Sequence, residues 1–158
     1  MIYNIKFSIL FFCVFFPFVV IAQLSGKVIK IKDGDTIVVL DSLNEQHTIR
    51  VADIDCPEYA QPFSFKAKRF TSKQVFNKKV RISEKSIDRY GRIVGYVLYK
   101  NKDLSEELLK NGFAWHYIHF SDSEYYQSLQ DSAMADRVGL WKDKNPVAPW
   151  EWRLINKK

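Results

Sequence analysis

Between Gly26 and Tyr99 the apolar residues fall in short runs, each closed by a cluster of turn-forming residues. Val28, Ile29 and Ile31 lead into Asp33-Gly34-Asp35, and Ile37 to Leu40 run into Asp41-Ser42-Leu43-Asn44. A third run, His47 to Ala52, follows. Runs of this length between such clusters read as consecutive short strands. From Phe63 to about Phe76 the period changes, with Phe63, Ala67 and Phe70 at helical spacing and lysines between them. Val80 to Ser83 and Ile93 to Tyr99 then return to strand, separated by Asp88-Arg89-Tyr90-Gly91-Arg92.

Five short strands with a helix between the third and fourth predict an α+β chain, mainly β. The architecture expected is a five-stranded closed barrel of the oligonucleotide/oligosaccharide-binding (OB) type with three packed helices. Asp103 with Glu106 three residues on, Leu104 and Leu108 on one side and Gly112 as a stop predict a short second helix. Ser121 with Glu124 predicts a longer third, through Tyr126, Leu129 and Ala133 to about Gly139. Pro149-Trp150-Glu151-Trp152-Arg153 is expected to dock the tail on the barrel.

Residues 1–22 differ from everything after them. Lys6 is followed by an apolar run from Phe7 to Val20, ending at Val20-Ile21-Ala22, the charged, greasy and small-residue order of a secretory signal. A signal peptide at 1–22 and a single domain at 23–158 are therefore expected, with the protein secreted or periplasmic. The competing reading is an uncleaved anchor, interrupted by Pro17. Cys13 would leave with the leader, so Cys56 would stand alone and no internal disulfide could form. A multidomain chain, a disulfide-stapled miniprotein and a multipass membrane protein are excluded.

The whole chain carries 24 Lys and Arg against 18 Asp and Glu, a formal charge of +6. From Lys66 to Arg92 there are ten basic residues and only Glu84 and Asp88 as acids. A solvated helix face accounts for part of this run, and a polyanion partner for the remainder.

Two acidic clusters carry the chemistry: Asp33-Gly34-Asp35-Thr36 and Asp53-Ile54-Asp55-Cys56-Pro57-Glu58. Alone, the first is a hairpin turn and the second a strand end. Both bound strands that are neighbours in sequence and therefore tend to pair, which crowds several carboxylates on one rim. Crowded carboxylates need a compensating cation, and an oxygen-only donor set favours calcium or magnesium over zinc. Arg50 and Arg92 are guanidinium candidates for holding a phosphodiester and neutralising charge that grows during its cleavage. Strict alternation puts Arg50 and Asp55 on opposite faces, so a bend must intervene if both serve one site. Asp53 either tunes the affinity for metal or faces solvent, and solvent is the preferred expectation. Cys56 reads as a small buried packing residue, His116 and His119 as surface or packing residues, and Trp115 as core at least as readily as a base-stacking residue.

These residues resemble the staphylococcal nuclease (thermonuclease) family. The matching pieces, in order, are Ile31-Lys32-Asp33-Gly34-Asp35-Thr36, Ile49-Arg50 through Asp55-Cys56-Pro57-Glu58, and Asp88-Arg89-Tyr90-Gly91-Arg92. Gly112-Phe113-Ala114-Trp115 and Gly139-Leu140-Trp141 are further echoes. The resemblance implies a calcium-dependent nuclease acting on DNA and RNA and leaving 3′-phosphates. By position it implies Asp35, Asp55 and the Cys56 carbonyl as Ca²⁺ ligands, and Glu58 as the residue that activates or orients water. Arg50 and Arg92 would grip the scissile phosphate, with Arg89, Tyr90 and Tyr117 as substrate-binding residues. Single-stranded substrate, a monomer and no protein partner are expected, with membrane contact only if the leader stays. The loop Tyr59-Ala60-Gln61-Pro62 is short, so pocket shape can differ from that of the family's founding member. The alternatives at this point are a non-catalytic OB-fold nucleic-acid-binding module and a structural calcium-binding envelope protein.

Overall fold

The computed structural model describes residues 23–156, so the expected leader lies outside the described residues. The five expected strands form: β1 (Ser25–Ile31), β2 (Thr36–Asp41), β3 (Gln46–Val51), β5 (Lys79–Ile87) and β6 (Ile93–Tyr99), with two-residue β4 (Ile54–Asp55), β7 (Lys102–Asp103) and β8 (Trp115–His116). The sheet runs β3-β2-β1-β5-β6-β7, and a parallel pairing of β3 with β6 closes it into a five-stranded barrel. Ile49 lies opposite Ile93 and Val51 opposite Gly95 at that seam. Closure removes the exposed strand edges that would otherwise invite aggregation.

The barrel interior holds Val28, Ile37, Val39, Ile49, Val51, Val80, Ile82 and Val97, all at most 1 % exposed. Branched side chains on successive inward positions fill a small barrel and suit strand backbone. β5 runs past Ser83, its expected end, because a register shift between Glu84 and Ser86 lets an otherwise polar, exposed segment keep pairing with β6.

Among the described residues four helices rather than three pack on this barrel: α1 (Ser64–Val75), α2 (Leu104–Lys110), α3 (Glu124–Ala135) and α4 (Pro149–Ile155), with a 3₁₀ turn at Gly139–Lys142. The fourth is the expected docking tail, which becomes helical because Pro149 occupies its first turn, where a missing N–H costs nothing. α1 presents Ala67, Thr71 and Val75 inward. α2 is capped by the Asp103 carboxylate, which accepts from the Ser105 N–H at 2.7 Å, and buries Leu104, Leu108 and Leu109. α3 begins after Ser123 and not Ser121, since it is the Ser123 hydroxyl that accepts from the Tyr126 N–H. Among the described residues no helix is long and apolar enough to cross a membrane.

Candidate active site

Two structural devices bring the acidic clusters together. The first fixes the Asp33–Thr36 loop. Thr71 of α1 donates its hydroxyl to the Gly34 carbonyl at 2.5 Å, and a Cβ at Gly34 would lie 2.8 Å from the Cys56 sulfur and 3.0 Å from the Ala67 Cβ. Only glycine lets the loop approach this closely. The second device is the bend that strict strand alternation required. Asp53 adopts φ 61°, and the turn it makes between β3 and β4 swings Asp55 onto the same side as Arg50.

Arg50 is the hinge of the cluster. Its Nη1 pairs with Asp35 Oδ2 at 2.8 Å and its Nη2 with Asp55 Oδ1 at 2.7 Å, with all three side chains at most 14 % exposed. The Cys56 N–H also donates to Asp35 Oδ2, at 2.6 Å. Burial pushes the carboxyl groups of Asp35 and Asp55 above their usual range despite these partners. Asp33, at the mouth of the cleft, is pushed up to about 6, first by desolvation and then by the facing Asp35 charge. Glu58 follows on a loop held by Gln61, whose side-chain oxygen accepts from the Glu58 N–H at 2.9 Å while its amide donates to the Val147 carbonyl at 2.8 Å. The short loop is thereby tied to the chain's C-terminal segment.

Asp53 does not face solvent, contrary to expectation. It is 8 % exposed, accepts from the Tyr96 hydroxyl at 2.7 Å and pairs with Lys85, so its charge anchors the bend to β5 and β6 and is directed away from the cluster. Cys56 is buried, and burial pushes its thiol well above the ordinary value, leaving no thiolate for nucleophilic chemistry. Its backbone lies beside both carboxylates, within a donor set of oxygens only.

Other candidate residues stand further out. Arg92 is held in its own turn, Nε to Asp88 Oδ2 at 2.7 Å, and among the described residues it makes no ion pair with the acidic cluster. It lies immediately before Ile93, which meets Ile49 at the barrel seam, and two residues before Val94, the residue opposite Arg50. Arg89 donates to the Tyr90 hydroxyl at 2.7 Å, and Tyr90 is 69 % exposed, with the Arg89 and Arg92 guanidinium groups over its ring at 4.9 and 5.5 Å. Tyr117 stacks on Trp150 with ring centroids 5.4 Å apart, so one of its faces is covered. Trp115 packs between Trp141 and Trp150. His116 is buried against Gln127 and Ser121, a packing residue as expected.

Two features escape sequence reasoning. Arg153 of α4 reaches into the cluster, donating through Nη2 to Asp55 Oδ2 at 2.8 Å and through Nη1 to Glu58 Oε1 at 2.5 Å. No local signal marks it, since its partners lie nearly a hundred residues upstream. Separately, Asp41, Glu45 and His47 place three ligand atoms within 4.8 Å of one another at the opposite end of β2. There Asp41 already pairs with His47 at 2.8 Å and accepts from the Leu43 and Glu45 N–H groups, which makes the group a turn clamp.

In sum of charge, Asp33, Asp35, Asp55 and Glu58 face Arg50 and Arg153, leaving the cleft with two uncompensated negative charges. Hard-oxygen donors, buried at Asp35 and Asp55, exposed at Asp33 and partly exposed at Glu58, with that formal excess fit a divalent cation such as calcium or magnesium.

An OB barrel whose rim gathers carboxylates under arginines defines a class of phosphodiester-handling proteins. The comparisons narrow that class. The family model described as staphylococcal nuclease homologue matches residues 48–143. An uncharacterized endonuclease of Haemophilus influenzae is 40% identical over 131 residues, covering 83% of this chain and 74% of that protein. A protein of Shigella flexneri named micrococcal nuclease is 35% identical, covering 86% of this chain and 84% of its own length. The staphylococcal-like nuclease CAN1 of Arabidopsis thaliana is 37% identical over 111 residues, 70% of this chain but 34% of that protein. The chain belongs to the staphylococcal nuclease homologue family.

Proposed function

We propose that the protein is an exported, calcium-dependent, sugar-nonspecific nuclease that hydrolyses DNA and RNA, preferring single strands, and leaves 3′-phosphates. The observation that carries this reading is the Arg50 fork, which holds Asp35 and Asp55 on one rim with Glu58 on the adjoining loop. Asp35, Asp55 and the Cys56 carbonyl would hold the cation, which when bound polarises the phosphodiester as a Lewis acid. Glu58, whose side chain is 40 % exposed, takes a proton from the attacking water as its oxygen bonds to phosphorus. The bond from phosphorus to the 5′-oxygen breaks, and that oxygen is protonated as it leaves. Arg50 neutralises charge on the non-bridging oxygens, and Arg92, on the β5–β6 turn, serves the departing oxygen. Arg89, Tyr90 and Tyr117 hold the flanking nucleotides, where each base stacked on an aromatic is worth about 1–3 kcal/mol.

Digestion of single-stranded DNA and RNA in calcium, in magnesium and in chelator, with analysis of product ends, tests this directly. Calcium-dependent release of 3′-phosphates is expected, and salt-sensitive binding with no turnover in any divalent ion would refute it. Export is supported by the Lys6-led apolar segment. Sequencing the amino terminus of protein recovered outside the cytoplasm should start near Gln23.

A further inference from the structure

Every oxygen of the Asp55 carboxylate already has a cationic partner. Oδ1 accepts from Arg50 at 2.7 Å and from Arg153 Nη1 at 3.3 Å, and Oδ2 accepts from Arg153 Nη2 at 2.8 Å. The same Arg153 guanidinium closes on Glu58 Oε1 at 2.5 Å, so one side chain spans both carboxylates. A hard divalent cation needs an open lone pair directed at it, and repels a guanidinium seated on the same oxygens. Three of the roughly four lone-pair positions of Asp55 are thus taken by guanidinium N–H groups, and a cation seated there competes with both arginines.

The structure separates the two. Arg50 is 14 % exposed, is fixed in β3 by its pairing with β2 and β6, and is held by Asp35 as well. Arg153 is 38 % exposed and sits on α4, a helix of seven residues near the end of the chain. Its remaining neighbours are the Tyr117 hydroxyl at 3.4 Å and the Tyr117 ring, contacts of little strength. Arg153 is the group that can yield, and it lies outside the stretch matched by the family model.

We propose that Arg153 is a positioning residue of the metal centre. It caps Asp55 and Glu58 and competes with a cation for the Asp55 carboxylate, so it sets the affinity of the site. The proposal rests on the reading of Asp35 and Asp55 as ligands given above, and it adds an internal competitor to that site. α4 thereby couples the C-terminal segment to the acidic rim, because Trp150 of the same helix stacks on Tyr117.

The test is calorimetric titration of the full-length folded protein with Ca²⁺ and with Mn²⁺, for wild type, Arg153→Gln and Arg153→Lys. Removing a charged competitor worth two strong hydrogen bonds should tighten the Kd of Arg153→Gln by at least about tenfold. Arg153→Lys keeps a charge but cannot span two carboxylates, so its Kd should fall between the others. A competitor also predicts that the wild-type Trp fluorescence changes on titration, as Arg153 moves on the helix that carries Trp150 and Trp152, and that this change is absent in Arg153→Gln. Equal Kd values for all three proteins, or weaker binding by Arg153→Gln with an unchanged circular dichroism spectrum, would overturn the proposal. Should wild type itself bind neither ion, and Asp55→Asn behave like wild type, it is the reading of the metal ligands that fails.

Discussion

Replacing Arg50 by Gln isolates the electrostatic core of the site. The substitution removes two charged hydrogen bonds, at 2.8 Å to Asp35 and 2.7 Å to Asp55, from side chains at most 14 % exposed. Asp55 keeps Arg153, whereas Asp35 retains only the Cys56 N–H and the Thr36 hydroxyl. One buried carboxylate is thus left without a countercharge, a loss that costs about 3–5 kcal/mol when a buried pair is broken. Because Asp55 stays compensated, the lower end is expected, about 3 kcal/mol in chelator at pH 7.5, or roughly 10 °C in Tm. The pH dependence has a definite sign. Burial raises the folded-state pKa of Asp35 and Asp55, so their destabilising charge is present above the raised values and gone below the ordinary carboxylate value near 4. Without Arg50 the rise is larger, so the deficit against wild type should shrink as pH falls from 7.5 to 5. Urea denaturation of both proteins at the two pH values measures this, and Asp35→Asn in the Arg50→Gln background should recover most of the loss. A deficit below about 1 kcal/mol, or one that grows on acidification, would show that Arg50 does not hold the two carboxylates as described.

Glu58→Gln and Arg92→Gln should each lower kcat with saturating calcium by about 10²–10⁴-fold, as expected for a lost proton acceptor or charge stabiliser, with unchanged circular dichroism. Stopped assays on a short single-stranded oligonucleotide read this, and activity within a factor of a few for either variant would remove that residue from the reaction. Asp53→Ala should cost about 1–2 kcal/mol through loss of the Tyr96 and partly exposed Lys85 partners, and should also lower activity because the bend that aligns Asp55 with Arg50 loosens. Equilibrium unfolding and turnover measured together check both halves. Gly112→Ala places a Cβ 2.3 Å from the Val138 carbonyl oxygen at φ +64°, and should lose at least about 2 kcal/mol by thermal melting.

The strands, α1 and the two acidic clusters were legible because each is a local pattern: short branched runs, a helical period, carboxylates flanking a glycine or a proline. What was not legible depends on contacts distant along the chain. Asp53 looks like any polar turn residue until Lys85 and Tyr96 are placed beside it by β5 and β6. Arg153 sits in a segment readable only as an aromatic tail, and nothing in its neighbours anticipates a bond to Asp55 or Glu58. The need for a bend between Arg50 and Asp55 was deducible from strand alternation, but its location at Asp53 follows from a backbone angle that aspartate tolerates better than most residues. The apolar pattern carries β5 only to Ser83, because the register shift between Glu84 and Ser86 leaves no trace in hydrophobic alternation.

The parallel seam between β3 and β6 joins chain segments that are far apart in sequence, and Arg50 and Arg92 stand at its two sides. Zipping that seam is a late, entropically expensive event in any folding route that builds the β1–β2–β3 meander first. Until it happens, one guanidinium has no reason to be near the other. On the roles proposed for Arg50 and Arg92, closure of the barrel is the folding step that completes the site.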